Sequence, residues 1–428
     1  MIKGKSLRTV SLLLAIMLFV VAGCSTSSGS DQGSAPAGDK VTIELWHGHT
    51  GPDGKVMAEL AQSFQQSQPN IEIKIQSMPW GELFTKAQLA IRGGAGPDLV
   101  SMPIDRMIVY KDAMFKPIDD LIQGQINAAD FDSNLWSKTI FDGKQYGIPL
   151  DTHPYVLYYR PDLFEKAGLQ PLPKDRPITK EEFERYAEAL TKSGVKGFSF
   201  SQTAHHAFWD FWNLFLQNGG KVYNDDQTAS AFKSEAAAKS LEYFLSLKND
   251  KKVALDEVLD WKTSYARFTE GAVGMLMYGS WIIPGLEEAK TPYETAMVPQ
   301  FGDEYGAFAN MHVFAFTRID ETKAKAALEF AKWMETADNA AKWGLGSGNV
   351  PAHLEARKAY GSNPKFAPLA KTAEMMQGKL FMHPYNKNDE TAVYKYIVPS
   401  FEGVYSGTTT VEAAVNTIDQ AINSLLKP

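Results

Sequence analysis

Cysteine is nearly absent: Cys24 is the only one in 428 residues. A chain with a single thiol forms no internal disulfide and carries no cysteine-based redox centre. Long apolar runs are missing as well. The N-terminal one extends from Val10 to Ala22, about 13 residues, short of the roughly 20 that a membrane-spanning helix needs. There is no Gly-x-Ser-x-Gly, no His-Glu-x-x-His and no Gly-rich loop ending in Lys-Ser/Thr. That removes the nucleophile elbow, the zinc-protease helix and the P-loop. Basic charge is in deficit, with 43 Lys+Arg against 50 Asp+Glu. Nucleic acid is therefore not expected as a partner, because phosphate contacts dominate that affinity.

What is present begins with Lys3, Lys5 and Arg8, followed by the apolar run and then by Val21-Ala22-Gly23-Cys24. This order reads as a secretory signal over residues 1–23, and its ending resembles a bacterial lipobox. Such a cysteine becomes the lipidated N-terminus. The mature chain would have 405 residues and a formal charge of −10. An anionic lipid surface repels it, so attachment to the membrane has to be covalent. One acyl chain anchors marginally and two hold firmly; the lipobox resemblance implies at least two. Residues 24–39, rich in Ser, Gly and Ala, have the composition of a flexible tether.

The fold is expected to start at Val41. Val41, Ile43 and Leu45 alternate with polar residues as a strand does; Val56, Met57, Leu60, Ala61 and Phe64 follow helical spacing; Ile71, Ile73 and Ile75 form a second strand. This βαβ unit predicts parallel strands. A helix over Trp80–Arg92 and a strand at Leu99-Val100 follow. Further strands are predicted at 155–159, 195–200, 272–278, 294–298 and 312–316. Further helices are predicted at 206–217 and 235–248, after the capping box Thr179/Glu182, after Asp320, and after a second box Thr409/Glu412. The alternation predicts an α/β fold, and about 400 residues exceed one core, so two domains are expected. Gly344, Gly346 and Gly348 read as a turn near a ligand.

His47, His49 and the pair His205-His206 are candidate metal ligands, but nothing nearby in sequence completes a set, and no metal or cofactor is expected. Acidic residues such as Asp98, Asp151 and Asp210 leave a secreted glycoside hydrolase as an alternative. The stronger pattern is aromatic. Nine tryptophans occur, and several sit with polar residues at predicted strand ends, where open α/β sheets bind ligands: Trp46 with His47, Trp80, Asp151 with Tyr155, Trp209 with Asp210, and Ser280 with Trp281. Flat rings among Asp, Asn, Ser and His suit a polyhydroxylated ring. Two indoles each burying half of ~200 Å² give roughly 5 kcal/mol at ~25 cal/mol/Å². Micromolar binding needs about 8 kcal/mol, so hydrogen bonds must supply the rest.

Several stretches resemble the family 1 extracellular solute-binding proteins of bacterial ABC importers. These are Gly96-Pro97-Asp98-Leu99-Val100, Tyr146-Gly147-Ile148-Pro149, the segment Leu157–Leu169 with Arg160 where Asn is usual, Phe268–Met275 running into Gly279-Ser280-Trp281, and Gly348-Asn349-Val350-Pro351. The helix start Thr179-Lys180-Glu181-Glu182-Phe183 lacks the family's Trp. The resemblance implies a two-lobed periplasmic-binding-protein-like α/β fold with a three-segment hinge near 150, 300 and 352. One lobe would comprise 40–150 plus 301–351, the other 151–300 plus 352–428. It implies a non-enzymatic, monomeric receptor on the outer face of the cell membrane, taking a sugar, favoured as an oligosaccharide, to ABC permease subunits. The implied pocket is Trp46, Trp80, Asp105, Asp151, Tyr155, Trp209, Trp281, Asn310 and the loop 346–349 with Ser347 and Asn349, and the strand-end pattern adds His47, Asp210 and Ser280. A non-sugar solute such as a phosphorylated polyol is a further alternative, with Arg106 as its one candidate cation.

Overall fold

The computed structural model describes residues 40–317, 320–376 and 386–427. Cys24 and the segments expected to be a signal sequence and a tether lie outside the described residues. Alternating Val41, Ile43 and Leu45 form strand β1 (Val41–His47) and pair in parallel with β2 (Ile71–Ser77). The connecting helix Pro52–Ser67 buries Met57, Leu60, Ala61 and Phe64, as its spacing predicts. Helix Trp80–Arg92 leads to β3 (Leu99–Pro103), parallel to β1, and on to helix Ile104–Met114.

The long strand β4 (Gly147–Tyr159) is buried along its entire length. Beyond it come β5 (Lys196–Ser199), helix Ala204–Gln217, β6 (Val273–Gly279), β7 (Glu294–Ala296), β8 (Ala309–Phe316) and β9 (Val350–Pro351). One nine-stranded sheet results, with central order β2-β1-β3-β8-β4-β6-β5, and with β7 and β9 also on β4. β8 runs antiparallel to both β3 and β4, so the sheet is mixed.

β4 is shared between two hydrophobic clusters. Up to Leu150 its apolar residues join a core with Ile43, Leu45, Phe64, Val100, Phe314 and Phe330. From Tyr155 onward they join a core with Phe183, Phe211, Phe244, Met277 and Ile418. On the opposite face Val156 and Tyr158 meet Leu276, Ile283, Val350 and Leu369. Two lobes, each around its own core and bridged by strands, are the periplasmic-binding-protein fold.

Local signals mostly resolve as expected. The Thr179/Glu182 capping box forms reciprocally, and Asp320 accepts from the Lys323 N–H at 3.0 Å. Two expectations are corrected. The last helix, Val411–Leu425, is capped by Thr410, which accepts from Ala413, and not by Thr409; adjacent threonines give the same pattern one residue apart. Gly344 and Gly346 lie inside helix Ala337–Ser347 rather than in a turn. Their missing side chains permit close packing: a Cβ would sit 2.7 Å from Pro351 at Gly344 and 2.6 Å from Val56 at Gly346. Gly348 alone turns the chain, at φ +83°.

Candidate functional site

A cavity of ≈530 Å³ opens where the lobes meet, within the size range of small-molecule sites. Strand period and register build its floor. Asp151 and His153 are two apart on β4, Asn310 and His312 two apart on β8, so each pair shares a face. The antiparallel register sets Asn310 opposite His153 and His312 opposite Asp151. Residues 157 or more apart in sequence thus make one polar patch. His312 Nδ1 lies 2.9 Å from Asp151 Oδ1 and His153 Nδ1 lies 3.3 Å from the same oxygen. Trp343 Nε1–H donates to Asp151 Oδ2 at 2.8 Å and Asn349 Nδ2–H at 3.1 Å. Burial alone would raise the Asp151 carboxyl; the imidazoles of His312 and His153 hold it well below the usual range.

The walls are aromatic. Trp80 comes from one lobe, and Trp209, Trp261 and Trp281 come from the other. Two glycines let indoles lie against backbone. A Cβ on Gly48 would meet Trp80 at 2.0 Å, and one on Gly279 would meet Trp281 at 1.9 Å. Trp80 is stacked between His312 (centroids 5.5 Å, 12°) and Phe84 (6.1 Å, 19°), so it offers the cavity mainly an edge. Trp209 has one face on Phe308 (4.9 Å, 20°), while Trp281 meets His153, Tyr155, Trp209 and Tyr278 at steep angles. His205 and His206 open helix Ala204–Gln217. Burial, then the nearby Arg106 guanidinium, lowers His205 to about 4; burial, then His205, holds His206 well below its ordinary value.

At the mouth, Arg106 spans from helix Ile104–Met114 to the C-terminal segment. Its Nη1 lies 3.0 Å from Glu390 Oε1, and its Nη2 donates to Tyr394 Oη at 3.3 Å. Its guanidinium also rests over Phe84 and Tyr394.

Of the residues singled out from sequence, Trp80, Asp105, Trp209, Trp281 and Asn310 line this cavity. Asn310 Nδ2–H donates to Asp105 Oδ1 at 3.0 Å. Asp151, Ser280, Ser347 and Asn349 are buried and brought together one layer behind it. Ser280 donates to Asn349 Oδ1 at 2.8 Å, and Ser347 Oγ accepts from the Asn349 N–H. Tyr155 is buried beneath Trp281. Trp46, His47 and Asp210 sit in interiors instead. Trp46 Nε1–H donates to Glu44, His47 is fully buried with neither ring nitrogen hydrogen-bonded, and Asp210 accepts from the Ser201 N–H at 2.7 Å. These three follow strand or helix period inward, which polarity at a strand end does not reveal. Asp98 does not line the cavity; it accepts from the Glu44 N–H and from Lys323.

The pocket expected from the sequence omits His153, His312, Phe84, Trp261, Glu390 and Tyr394, all of which line the cavity. His153 and His312 were within reach, each two residues from a chosen position on a strand. Glu390 and Tyr394 carried no local signal, since only folding brings them to Arg106.

Asp151, His153 and His312 also place ligand-type atoms within 4.8 Å of one another. Both Nδ1 atoms are engaged with the carboxylate, however. A cation would find two Nε2 atoms, fewer than the three protein ligands of a catalytic zinc site or the four of a structural one.

A two-lobed α/β body with an aromatic, hydroxyl-matching cleft between its lobes is a solute-binding architecture. Residues 59–369 match the model of the bacterial extracellular solute-binding proteins, and the chain belongs to that family. A binding protein of Brucella abortus is 25% identical over 284 residues, 62% of this chain and 64% of its own length; the chain thus spans under two thirds of that relative. The sn-glycerol-3-phosphate-binding periplasmic protein UgpB of Salmonella typhimurium is 22% identical over 90% of this chain and 92% of its own. Among solved structures, an ABC substrate-binding protein of Listeria monocytogenes in complex with cycloalternan superposes with a TM-score of 0.78. It shares 24% identity over 91% of this chain and 99% of its own.

Proposed function

We propose that the protein is a receptor that captures a carbohydrate, an oligosaccharide in the favoured case, between its lobes and delivers it to an ABC importer without chemical change. The observation that carries this reading is the cleft itself. Indoles from both lobes surround a floor of Asn310, His153 and His312, which pairs apolar ring faces with hydroxyl-bonding groups. Three crossovers, within Leu150–Tyr155, near 301–309 and near 350–352, would act as the hinge on which the lobes close. The lipobox-like Val21–Cys24 supports attachment to the outer face of the cell membrane through lipid on Cys24. No helix among the described residues is long and apolar enough to cross a membrane.

A thermal-shift screen against a carbohydrate library tests the binding, since a guest that binds only the folded state raises its midpoint. At least one saccharide should raise Tm, and the recovered saccharide should be intact. Cleavage products would replace the receptor with a hydrolase. Cys24→Ala should release the protein from membranes; a variant that stays membrane-bound would remove the anchor.

A further inference from the structure

The charge inside the cleft has a direction. Of its lining residues, Arg106 is the one arginine or lysine, against the carboxylates of Asp53, Asp105, Asp389 and Glu390. Arg106 is already matched, by Glu390 at 3.0 Å and by Asp105 at 3.7 Å. Helix N-termini are further positive sources, and at three of them a protein carboxylate is at hand. Asp53 Oδ1 accepts from the N–H groups of Gly51 (3.1 Å) and Gly54 (2.9 Å) at the start of helix Pro52–Ser67. Asp105 lies in the first turn of helix Ile104–Met114. Glu402 accepts from the Ala204 N–H at 3.1 Å, where helix Ala204–Gln217 begins.

Hydrogen-bonding polarity points the same way. With Nδ1 of His153 and of His312 turned to the Asp151 carboxylate, the ring nitrogen each has left for the cavity is Nε2. His206, which also lines the cavity, has a buried Nδ1 with no hydrogen-bond partner. Indole faces attract cations and repel anions.

We propose that the cleft is selective against negative charge. Its guest is a saccharide without phosphate or carboxylate, and a ring bearing a basic amine binds more tightly than its hydroxyl counterpart. This rests on the carbohydrate reading and narrows it. The one arginine of the lining is already paired with the protein's own carboxylates, so a sugar phosphate would meet no free arginine or lysine there.

The test uses matched sets of saccharides, each in neutral, amino, uronate and phosphorylated form, titrated against the wild-type protein by calorimetry. For a set whose neutral form binds, the amino form is expected at least threefold tighter and both anionic forms at least a hundredfold weaker. An anionic form within threefold of the neutral one overturns the proposal, as does an amino form no tighter than the neutral one. A library in which no form binds takes down the carbohydrate reading, and this proposal with it. In Asp105→Asn/Glu390→Gln, which frees Arg106, the ratio of anionic to neutral Kd should shrink at least tenfold. An unchanged ratio would show that these carboxylates do not set the selectivity.

Discussion

Replacing Gly279 by alanine isolates the placement of one indole. The backbone there is extended (φ −75°, ψ 159°), which alanine adopts without strain, so any effect comes from the added methyl. That methyl would sit 1.9, 2.1 and 2.4 Å from three ring carbons of Trp281. Carbon contacts relax at about 3.5 Å or more, so the ring must move by roughly 1.5 Å. Overpacking of this kind costs about 1–3 kcal/mol, and the stiffer unfolded chain returns about 0.4–1 kcal/mol. The net loss of stability is therefore at most about 2.6 kcal/mol. Binding suffers separately. Half of an indole's ~200 Å² is worth roughly 2.5 kcal/mol at ~25 cal/mol/Å², and forfeiting about half of that weakens Kd about tenfold. The assay is a titration of the saccharide found by thermal shift, in Gly279→Ala, Trp281→Ala and the double variant. Trp281→Ala should weaken binding more than tenfold with Tm within a few degrees. The double variant should bind no worse than Trp281→Ala, because the methyl then has no ring to displace. Wild-type affinity in Gly279→Ala, or an additive double variant, would refute the argument that Gly279 acts by seating Trp281.

Three further outcomes are expected. Arg106→Ala removes the contacts to Glu390 and Tyr394 across the mouth and should raise koff about threefold or more in stopped-flow release, with little change in denaturant midpoint; unchanged release would mean the bridge does not hold the cleft. Asp151→Asn removes the charge and one of the two buried acceptor oxygens, the one serving His312 and His153 or the one serving Trp343 and Asn349, and should lower unfolding free energy by about 3 kcal/mol, since breaking buried charge-assisted networks costs that much; a loss under 1 kcal/mol by urea titration would contradict it. Stability should also fall on acidification from about pH 6.5. Burial, then His49, lowers His47 to about 3; burial, then Arg106, lowers His205 to about 4; burial depresses His49 and His206 as well. The unfolded chain therefore binds more protons at these four sites below 6.5, and each contributes up to about 1.4 kcal/mol per pH unit. Asp210 and Glu335, raised by burial, act oppositely, since the folded state holds their protons as pH rises above 4. His353 is lowered by burial too, so five histidines against two carboxyls leave a net loss between about pH 6.5 and 4, and a Tm flat across that window would overturn the balance.

Much was legible in the chain alone. The βαβ start, the helix Trp80–Arg92, the Thr179 box and the buried strand near 273–279 are written in local period and capping, which act over a few residues. Trp80, Trp209 and Trp281 stood out as site candidates because aromatic and polar residues coincide at element ends. The same logic misplaced Trp46, His47 and Asp210, because a strand-end position does not say which face the side chain takes once the sheet is packed. The polar floor required the pairing of β4 with β8, a register set by burial on both sides of a strand and by no residue near Asp151 in sequence. Period could tell that Asp151 goes with His153 and Asn310 with His312. Only the sheet could join those pairs, and only the meeting of two cores could bring Arg106 to Glu390, because contacts between distant segments depend on the whole chain's burial and not on local preference.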